Sequence, residues 1–104
     1  MAFSKAQSFD HTPYIQSFWS KALSHPARII ILNYLMQNGT TSFNEIRKII
    51  PLAPTTVSQH LKYLRQSGLI EPKEKFPHTY YTINIDACKS LADKLNDIQR
   101  VFLN

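Results

Sequence analysis

The side chains best suited to specific chemistry lie in residues 53–70, APTTVSQHLKYLRQSGLI. Val57, Leu61 and Leu64 are spaced by four and three residues, so a helix places them on one face. The opposite face carries hydroxyl, amide and amino groups, on Thr55, Thr56, Gln59, Lys62, Tyr63 and Gln66. These groups donate and accept hydrogen bonds, but they are not the set of nucleophile, base and orienting group that catalysis requires. The pattern is therefore typical of a binding surface. Among the possible classes of protein, an enzyme is the one that it favours least.

The charge and length of the chain narrow the kind of partner. The 104 residues include 12 Lys and Arg and 7 Asp and Glu, which gives a net charge of +5 and an isoelectric point of about 9.5. Residues 1–70 hold seven basic and two acidic residues, whereas residues 71–104 hold five of each. This distribution favours a polyanion bound by the first two thirds of the chain. One domain of this length builds a modest core, so a second copy is expected to add stability.

Two helices are predicted before residue 40. Residues 12–23 carry apolar side chains at helical spacing, namely Ile15, Phe18, Trp19 and Leu23. Residues 24–39 begin with Ser24 and Pro26, which suit the N-cap and the first helical turn, and end at Gly39. The stripe predicted to be buried in this second helix consists of Ile29, Leu32, Leu35 and Met36.

A helix-turn-helix is predicted over residues 42–67. Ser42 and Glu45 form a capping box for a short third helix. The residues that this helix is expected to bury are Ile46, Ile49 and Ile50. Only three residues separate it from a fourth helix, which begins at Pro54 and ends near Gly68. Two short helices joined by such a turn form a helix-turn-helix.

A β-hairpin and a last helix complete the predicted fold. Two extended runs, LIEPKEKF and HTYYTIN, meet around Phe76 and Pro77 and predict a two-stranded hairpin, the wing, over residues 69–83. The last helix, residues 86–103, carries an apolar seam made of Cys88, Leu91, Leu95, Ile98 and Phe102. The predicted fold class is mostly α with a small β-hairpin: one winged helix-turn-helix domain over residues 1–104, with four helices, the hairpin and a fifth helix.

Residues 21–83 resemble the ArsR/SmtB family of winged-helix bacterial repressors. KALSHPARIIILNYL is similar to the second helix of the family, TTVSQHLKYLRQSGLI to its recognition helix and YYTIN to the closing strand of its wing. These three motifs occur in the family's order and at suitable spacing. The resemblance implies a homodimer, paired through its first and last helices, that binds a palindromic operator in double-stranded DNA and releases it when a signal arrives.

The first and last helices are the expected dimer interface. Residues 12–23 and 86–103 both carry more apolar surface than a lone small domain needs, so these faces could meet a second copy. The predicted interface residues are Ile15, Phe18, Trp19, Leu91, Leu95, Ile98 and Phe102. Phe18 and Trp19 are alternatively core residues, and a ligand cage is disfavoured for both.

DNA contacts are predicted on the recognition helix and on the wing. A recognition helix lies in the major groove with its N-terminal half at the base edges. Gln59 is suited to adenine, and the methyl groups of Thr55 and Thr56 are suited to thymine. Phosphate contacts are expected from Lys62, Tyr63 and Arg65 and, on the wing, from Lys73, Lys75 and His78. An ordinary solvated helix face is the competing interpretation.

Two further positions and the wing tip leave alternatives open. Ser58 and His60 match the Ser-x-His-Leu pattern of the family, and they are included among the predicted contacts of the recognition helix. Because both flank the buried stripe, they are alternatively structural, and His60 is expected either to pack or to bind phosphate. Family wings usually turn on glycine, whereas KEKFPHT contains none, so contact of this tip with the minor groove stays open.

Neither metal nor cofactor is expected. Many relatives carry Cys-x-Cys in the third helix, but TSFNEIRKI contains no cysteine or histidine, and the last helix has aspartates without a histidine. The four histidines of the chain are scattered singly, whereas metal sites need clustered ligands. The single cysteine, Cys88, is expected to be a small buried apolar residue, and an intersubunit disulfide between two Cys88 residues is the alternative.

A cytoplasmic location is expected, because no apolar run reaches the ~18 to 20 residues of a membrane span and MAFSKAQSFDHTPY lacks the apolar core of a signal peptide. The main alternative function is a protein-docking module, since winged helices also bind proteins. A docking surface would expose large aliphatic side chains on the recognition helix. The predicted polar face and the positive charge before residue 71 favour DNA instead. The residues do not specify the inducing signal.

Overall fold

The structure of the chain, a computed structural model, describes residues 19–103. After the helical residues 19–22 it contains α1 (Pro26–Asn38), β1 (Thr41–Ser42), α2 (Phe43–Ile49), α3 (Pro54–Gln66), β2 (Ile70–Lys75), β3 (His78–Ile83) and α4 (Ile85–Leu103). The predicted class, mostly helical with a small β-sheet, is confirmed. The predictions for Ile15 and Phe18 lie outside the described residues.

Helix α1 begins at a different cap from the predicted one. His25 has extended backbone, and its Nδ1 accepts a hydrogen bond from the backbone N–H of Ala27 at 3.0 Å, so His25 and not Ser24 is the N-cap. The Ser24 hydroxyl instead donates to the carbonyl oxygen of Lys21 at 2.7 Å. The helix ends as predicted at Gly39, which has a φ of 75° and donates its backbone N–H to the Leu35 carbonyl.

Helix α1 also buries a different stripe from the predicted one. Its buried residues are Ala27, Ile31, Leu32 and Leu35. Leu32 and Leu35 were predicted, whereas Ile29 is exposed and the Met36 side chain is 59% exposed. The run Ile29 to Leu32 is apolar throughout, so more than one face satisfied the helical spacing and tertiary packing made the choice.

Helices α2 and α3, joined by residues 50–53, form the helix-turn-helix. Ser42 is the N-cap of α2, as predicted. Its hydroxyl accepts a hydrogen bond from the Glu45 backbone N–H and donates one to the Glu45 carboxylate, each at 3.2 Å. Ile46 and Ile50 are buried, as predicted, and Ile49 is half-buried. This packing places α3 against the core along its apolar side.

The wing belongs to a three-stranded antiparallel sheet with the strand order β1-β3-β2. The predicted β2–β3 hairpin is paired in register from Ile70 opposite Ile83 to Lys75 opposite His78. Strand β1 was not predicted, because two residues are too short to show the alternation of a strand. Pairing of β1 with the middle of β3 fixes the base of the wing to the helix-turn-helix.

The core is formed by α1, α2, α3 and the start of β2, and it includes Trp19. The Trp19 side chain is 8% exposed, and its indole N–H donates to the Ser67 carbonyl oxygen at 3.1 Å. Of the two alternatives predicted for Trp19, the structure supports the core. Its assignment to the dimer interface stays a prediction.

Helix α4 packs on this core only through its first half. Cys88 and Leu91 are half-buried against the core, whereas Leu95, Ile98 and Phe102 are exposed. No residue of α4 is buried within the described chain. The second half of α4 thus presents an uncovered apolar seam.

Replacing Leu61 with alanine tests the packing of α3. The Leu61 side chain is 1% exposed, so its removal leaves a cavity, and we expect a loss of about 2 to 5 kcal/mol in the free energy of unfolding. Urea unfolding followed by circular dichroism measures this loss. Leu52→Ala is the matched control, because Leu52 lies exposed between α2 and α3 and should cost far less. Equal losses in the two variants would contradict the described core.

Candidate nucleic-acid interface

The polar side of α3 faces outward because its apolar side is buried. Val57, Leu61 and Leu64 lie in the core, as their spacing predicted. The exposed polar residues of α3 are Thr55, Ser58, Gln59, Lys62, Arg65 and Gln66, and Thr56 and Tyr63 are half-buried. No acidic residue occurs between residues 46 and 70 of the sequence. We call this outward surface the α3 face; it offers hydrogen-bonding groups and two cations.

One face of the wing carries two lysines and a histidine. Lys73 and Lys75 are two residues apart on β2, so their side chains share a face, and His78 is paired directly with Lys75. All three are exposed. Glu74 alternates to the other face, where its carboxylate lies 3.4 Å from the Thr79 hydroxyl that donates to it. The outer part of the wing therefore has a cationic face.

The α3 face and the wing meet at one cleft of about 350 Å³. The cleft is lined by Phe43, Asn44, Ser58, Pro77, His78, Thr79 and Tyr81. Ser58 belongs to the N-terminal half of α3, and Pro77 and His78 belong to the wing tip. Burial raises the pKa of Tyr81, and the Arg65 guanidinium opposes this rise. The structure thus places the N-terminal half of α3 beside the wing tip.

A cluster of side chains that was not predicted joins α1 to α3. The Arg28 Nε donates a hydrogen bond to His60 Nδ1 at 3.0 Å, and the guanidinium carbon lies 4.2 Å from the centre of the Tyr63 ring. The Arg28 Nη1 donates to the Ser24 hydroxyl at 3.1 Å and to the Lys21 carbonyl oxygen. Because Arg28 and His60 are 32 residues apart, no local pattern could have indicated this contact.

His60 lies inside this cluster and not on the α3 face. Its side chain is 6% exposed, and its ring centre lies 4.4 Å from that of His25. This burial favours packing, one of the two roles expected for His60, over contact with phosphate. Because Nδ1 accepts from Arg28, the neutral ring carries its proton on Nε2, which has no partner within residues 19–103. Burial lowers the pKa of His60, and the neighbouring His25 and Arg28 lower it further.

Cys88 is held where α4 packs on the core. Its thiol donates to the Leu69 carbonyl oxygen, with 3.7 Å between Sγ and oxygen. Burial raises the pKa of the Cys88 thiol, so the reactive thiolate is disfavoured. These features fit a packing role for Cys88 better than a redox role.

The described residues also bear on metal binding and on membrane insertion. Within residues 19–103, no three His, Cys, Asp or Glu side chains lie close enough together to hold a metal ion. The helices described here include none that is long and apolar enough to cross a membrane.

Comparisons with known proteins identify the family. Residues 25–71 match the family described as bacterial regulatory protein, arsR family. The chain is 33% identical over 78 residues to the HTH-type transcriptional regulator YgaV of Escherichia coli (strain K12), covering 75% of this chain and 79% of YgaV. The chain belongs to the ArsR family. The resemblance noted in the sequence is therefore confirmed.

Another relative and a solved structure agree with this membership. The chain is 33% identical over 79 residues to the transcriptional repressor PagR of Bacillus anthracis, covering 76% of this chain and 79% of PagR. The crystal structure of an ArsR family transcriptional regulator, RHA00566, superposes with a TM-score of 0.76 at 21% identity, covering 88% of this chain and 94% of that one. This similarity confirms the winged helix-turn-helix fold of the ArsR-family chain. YgaV and PagR are named as regulators of transcription and not as enzymes.

The cluster around His60 makes the stability of this ArsR-family chain depend on pH. The pKa of His60 is lowered from its ordinary value of 6.5, so below about pH 6.5 the unfolded chain binds more protons than the folded one. The stabilising contribution of neutral His60 is therefore complete above the unfolded pKa and is lost as the pH falls through the folded pKa. We expect His60→Gln, which cannot titrate, to lose less stability than the natural chain between about pH 7.5 and about pH 5.

Urea unfolding of both proteins at a series of pH values measures this difference. The control is Gln66→Ala, because Gln66 is exposed on the same helix and carries no titrating group, so its replacement should leave the pH dependence of the natural chain unchanged. Identical pH dependence in the natural chain and in His60→Gln would contradict the described environment of His60.

The environment of Cys88 predicts a slow thiol. Because burial raises its pKa, we expect iodoacetamide to alkylate Cys88 more slowly in the folded chain at neutral pH than in the chain unfolded by urea. Mass spectrometry of samples taken over time measures both rates, with N-acetylcysteine in the same urea concentrations as the control for solvent effects. Faster alkylation in the folded chain would reveal an activated thiolate and restore the redox alternative.

Proposed function

We propose that the chain is a sequence-specific DNA-binding transcriptional regulator that represses as a homodimer on a palindromic operator. The observation that carries the proposal is the α3 face, an exposed polar surface without acidic residues, beside a wing with a cationic face. The names of YgaV and PagR support transcriptional regulation, and that of PagR supports repression. Binding to chromosomal DNA would place the protein in the cytoplasm.

The α3 face is proposed to read bases from the major groove. Gln59 lies exposed in its N-terminal half, and its amide can pair with both the N6 and N7 groups of adenine. Thr55 is exposed and Thr56 is half-buried, and their methyl groups are suited to the methyl group of thymine. Ser58 is exposed at the cleft shared with the wing, where a hydroxyl can reach either a base or a phosphate.

Phosphate contacts are proposed for the basic side chains of α3 and of the wing and for one tyrosine hydroxyl. On α3 these are Lys62, Arg65 and Tyr63, and on the wing they are Lys73, Lys75 and His78. Tyr63 is held under the Arg28 guanidinium, so its ring has a fixed position from which the hydroxyl can donate. Because such contacts release counterions, they predict binding that weakens as salt is added.

The second half of α4 is the proposed centre of the homodimer. Its exposed apolar residues are Leu95, Ile98, Val101, Phe102 and Leu103. A soluble monomer rarely leaves such a continuous apolar surface uncovered, and a second copy of the same helix can cover it. Leu91 would lie at the inner edge of this interface, since it also packs on the core. Two copies related by a twofold axis present two α3 faces to successive major grooves, which is what a palindromic operator requires.

A protein-docking module is the alternative function. The exposed residues of the α3 face include no leucine, isoleucine or methionine, whereas the centre of a protein interface is usually apolar and poor in charge. This composition favours DNA over a protein on the α3 face.

A binding titration tests the proposed function. Fluorescence anisotropy of the protein with DNA from just upstream of its own gene, and with a scrambled duplex, should show a preference of roughly a thousandfold for the native DNA. Replacing Gln59 with alanine should weaken binding to native DNA by about 1 to 3 kcal/mol, because one bidentate base contact is lost. Gln66→Ala is the matched control, since Gln66 is exposed at the last turn of the same helix.

The same titration at two salt concentrations separates the outcomes. Equal, salt-sensitive binding to both duplexes would mean that only phosphates are recognised, which contradicts a sequence-specific regulator. Absence of binding to either duplex at low salt would favour the docking module. Equal losses in Gln59→Ala and Gln66→Ala would contradict the proposed base contact.

A further inference from the structure

We infer that Phe76 is an apolar wedge at the wing tip that enters the minor groove of the bound DNA and partly unstacks one base step. This inference rests on the proposed function and adds to it a residue, a groove and a deformation of the DNA. It concerns the wing tip, which the α3 face and its base contacts do not involve.

The exposure of Phe76 is the first observation. Its side chain is 100% exposed, so no part of its own chain covers it. A large aromatic side chain gains more free energy from burial than most others, and leaving one entirely in water is unfavourable unless a partner covers it. The wing tip therefore lacks the surface that would bury Phe76.

The rigid support of Phe76 is the second observation. Strands β2 and β3 pair in register through all six residues of each, and the last pair, Lys75 with His78, leaves only Phe76 and Pro77 in the turn. Strand β3 is the central strand of its sheet, because β1 pairs on its other side. So short a turn leaves the backbone at Phe76 little freedom before binding, which reduces the entropy that binding must overcome.

The charge around Phe76 indicates that its partner is a polyanion. Lys75 precedes it, His78 pairs with Lys75 across the turn, and Lys73 shares their face. The nearest acidic residue, Glu74, lies on the opposite face beside Thr79. Two lysines and a histidine within three positions of an exposed aromatic ring fit a surface lined by phosphates.

The position of the wing tip selects the groove. Pro77 and His78 share the cleft with Ser58, which lies in the N-terminal half of α3. If α3 occupies the major groove, the neighbouring tip lies across one phosphate backbone, at the adjacent minor groove. Phenylalanine and proline are among the side chains that proteins insert between base steps from the minor groove, and pyrimidine–purine steps unstack most easily.

The test uses the full chain and its native operator carrying 2-aminopurine, which fluoresces more strongly when it is unstacked. A footprint first defines the bound region, and a set of duplexes then replaces each adenine in it with 2-aminopurine. The natural chain should increase the fluorescence at one adenine of a TA or CA step beside the α3 site. Phe76→Ala should abolish this increase and weaken binding roughly five- to a hundredfold, the range for loss of one base–aromatic stacking contact. Phe76→Trp should retain both properties.

Two control variants separate stacking from charge and from general apolar surface. Lys75→Ala should lower the affinity and reduce the salt dependence by about one phosphate contact, but it should leave the fluorescence increase intact. Met36→Ala removes an exposed apolar side chain from α1 and should change neither property. Because Phe76 is fully exposed, Phe76→Ala should keep the thermal unfolding midpoint of the natural chain.

The outcomes distinguish this inference from the proposed function. Preferential binding of the operator by the natural chain, with no fluorescence increase at any adenine, would overturn the wedge and leave the regulator intact. Unchanged affinity and fluorescence in Phe76→Ala would do the same. Failure of the natural chain to prefer its operator would overturn the proposed function, and the wedge with it.

Discussion

The burial of the apolar side of α3 is the constraint on which the rest of the structure depends. Val57, Leu61 and Leu64 are nearly inaccessible to water, and a rotation of α3 about its axis would expose them at a cost of about 1.5 to 3 kcal/mol for each side chain. Their burial therefore determines which residues of α3 face outward. The same core covers Ile70 at the start of β2, so α3 and the wing are oriented by one set of contacts.

The hydrogen bond between Arg28 and His60 orients α3 more specifically than its apolar packing does. A hydrophobic stripe tolerates small rotations, whereas a hydrogen bond to one ring nitrogen requires a defined position of the helix. The Arg28 guanidinium also lies over the Tyr63 ring and donates a hydrogen bond to the Lys21 carbonyl oxygen. A movement of the segment before α1 would therefore disturb the contacts of α3. A desolvated histidine beside an arginine is favourable only while the ring is neutral, so this contact is expected to weaken in acid.

The sequence correctly predicted the elements that are determined by residues close together in the chain. Two local patterns allowed only one interpretation each. They are the cap formed by Ser42 with Glu45 and the single apolar stripe of α3, and the structure agrees with both. Residues 29–32 allowed several interpretations, because a continuous apolar run has no preferred face. Only packing against the rest of the chain selects the face that is buried. The same limit applies to the site. The outward residues of α3 followed from its stripe, but the burial of His60 depends on Arg28, with which it shares no local pattern.

The exposed apolar side chains lie in two different electrostatic environments, and these environments separate two kinds of partner. Leu95, Ile98 and Phe102 repeat at helical spacing on α4, where three acidic and three basic residues balance. A neutral helix with a continuous apolar seam suits another protein surface, and a second copy offers an identical seam. Phe76 stands instead on a two-residue turn beside Lys75 and His78. A protein interface would have to desolvate the Lys75 ammonium group, whereas a phosphate would keep it paired. The charge around each apolar group is therefore the reason for proposing a second copy as the partner of α4 and DNA as the partner of the wing tip.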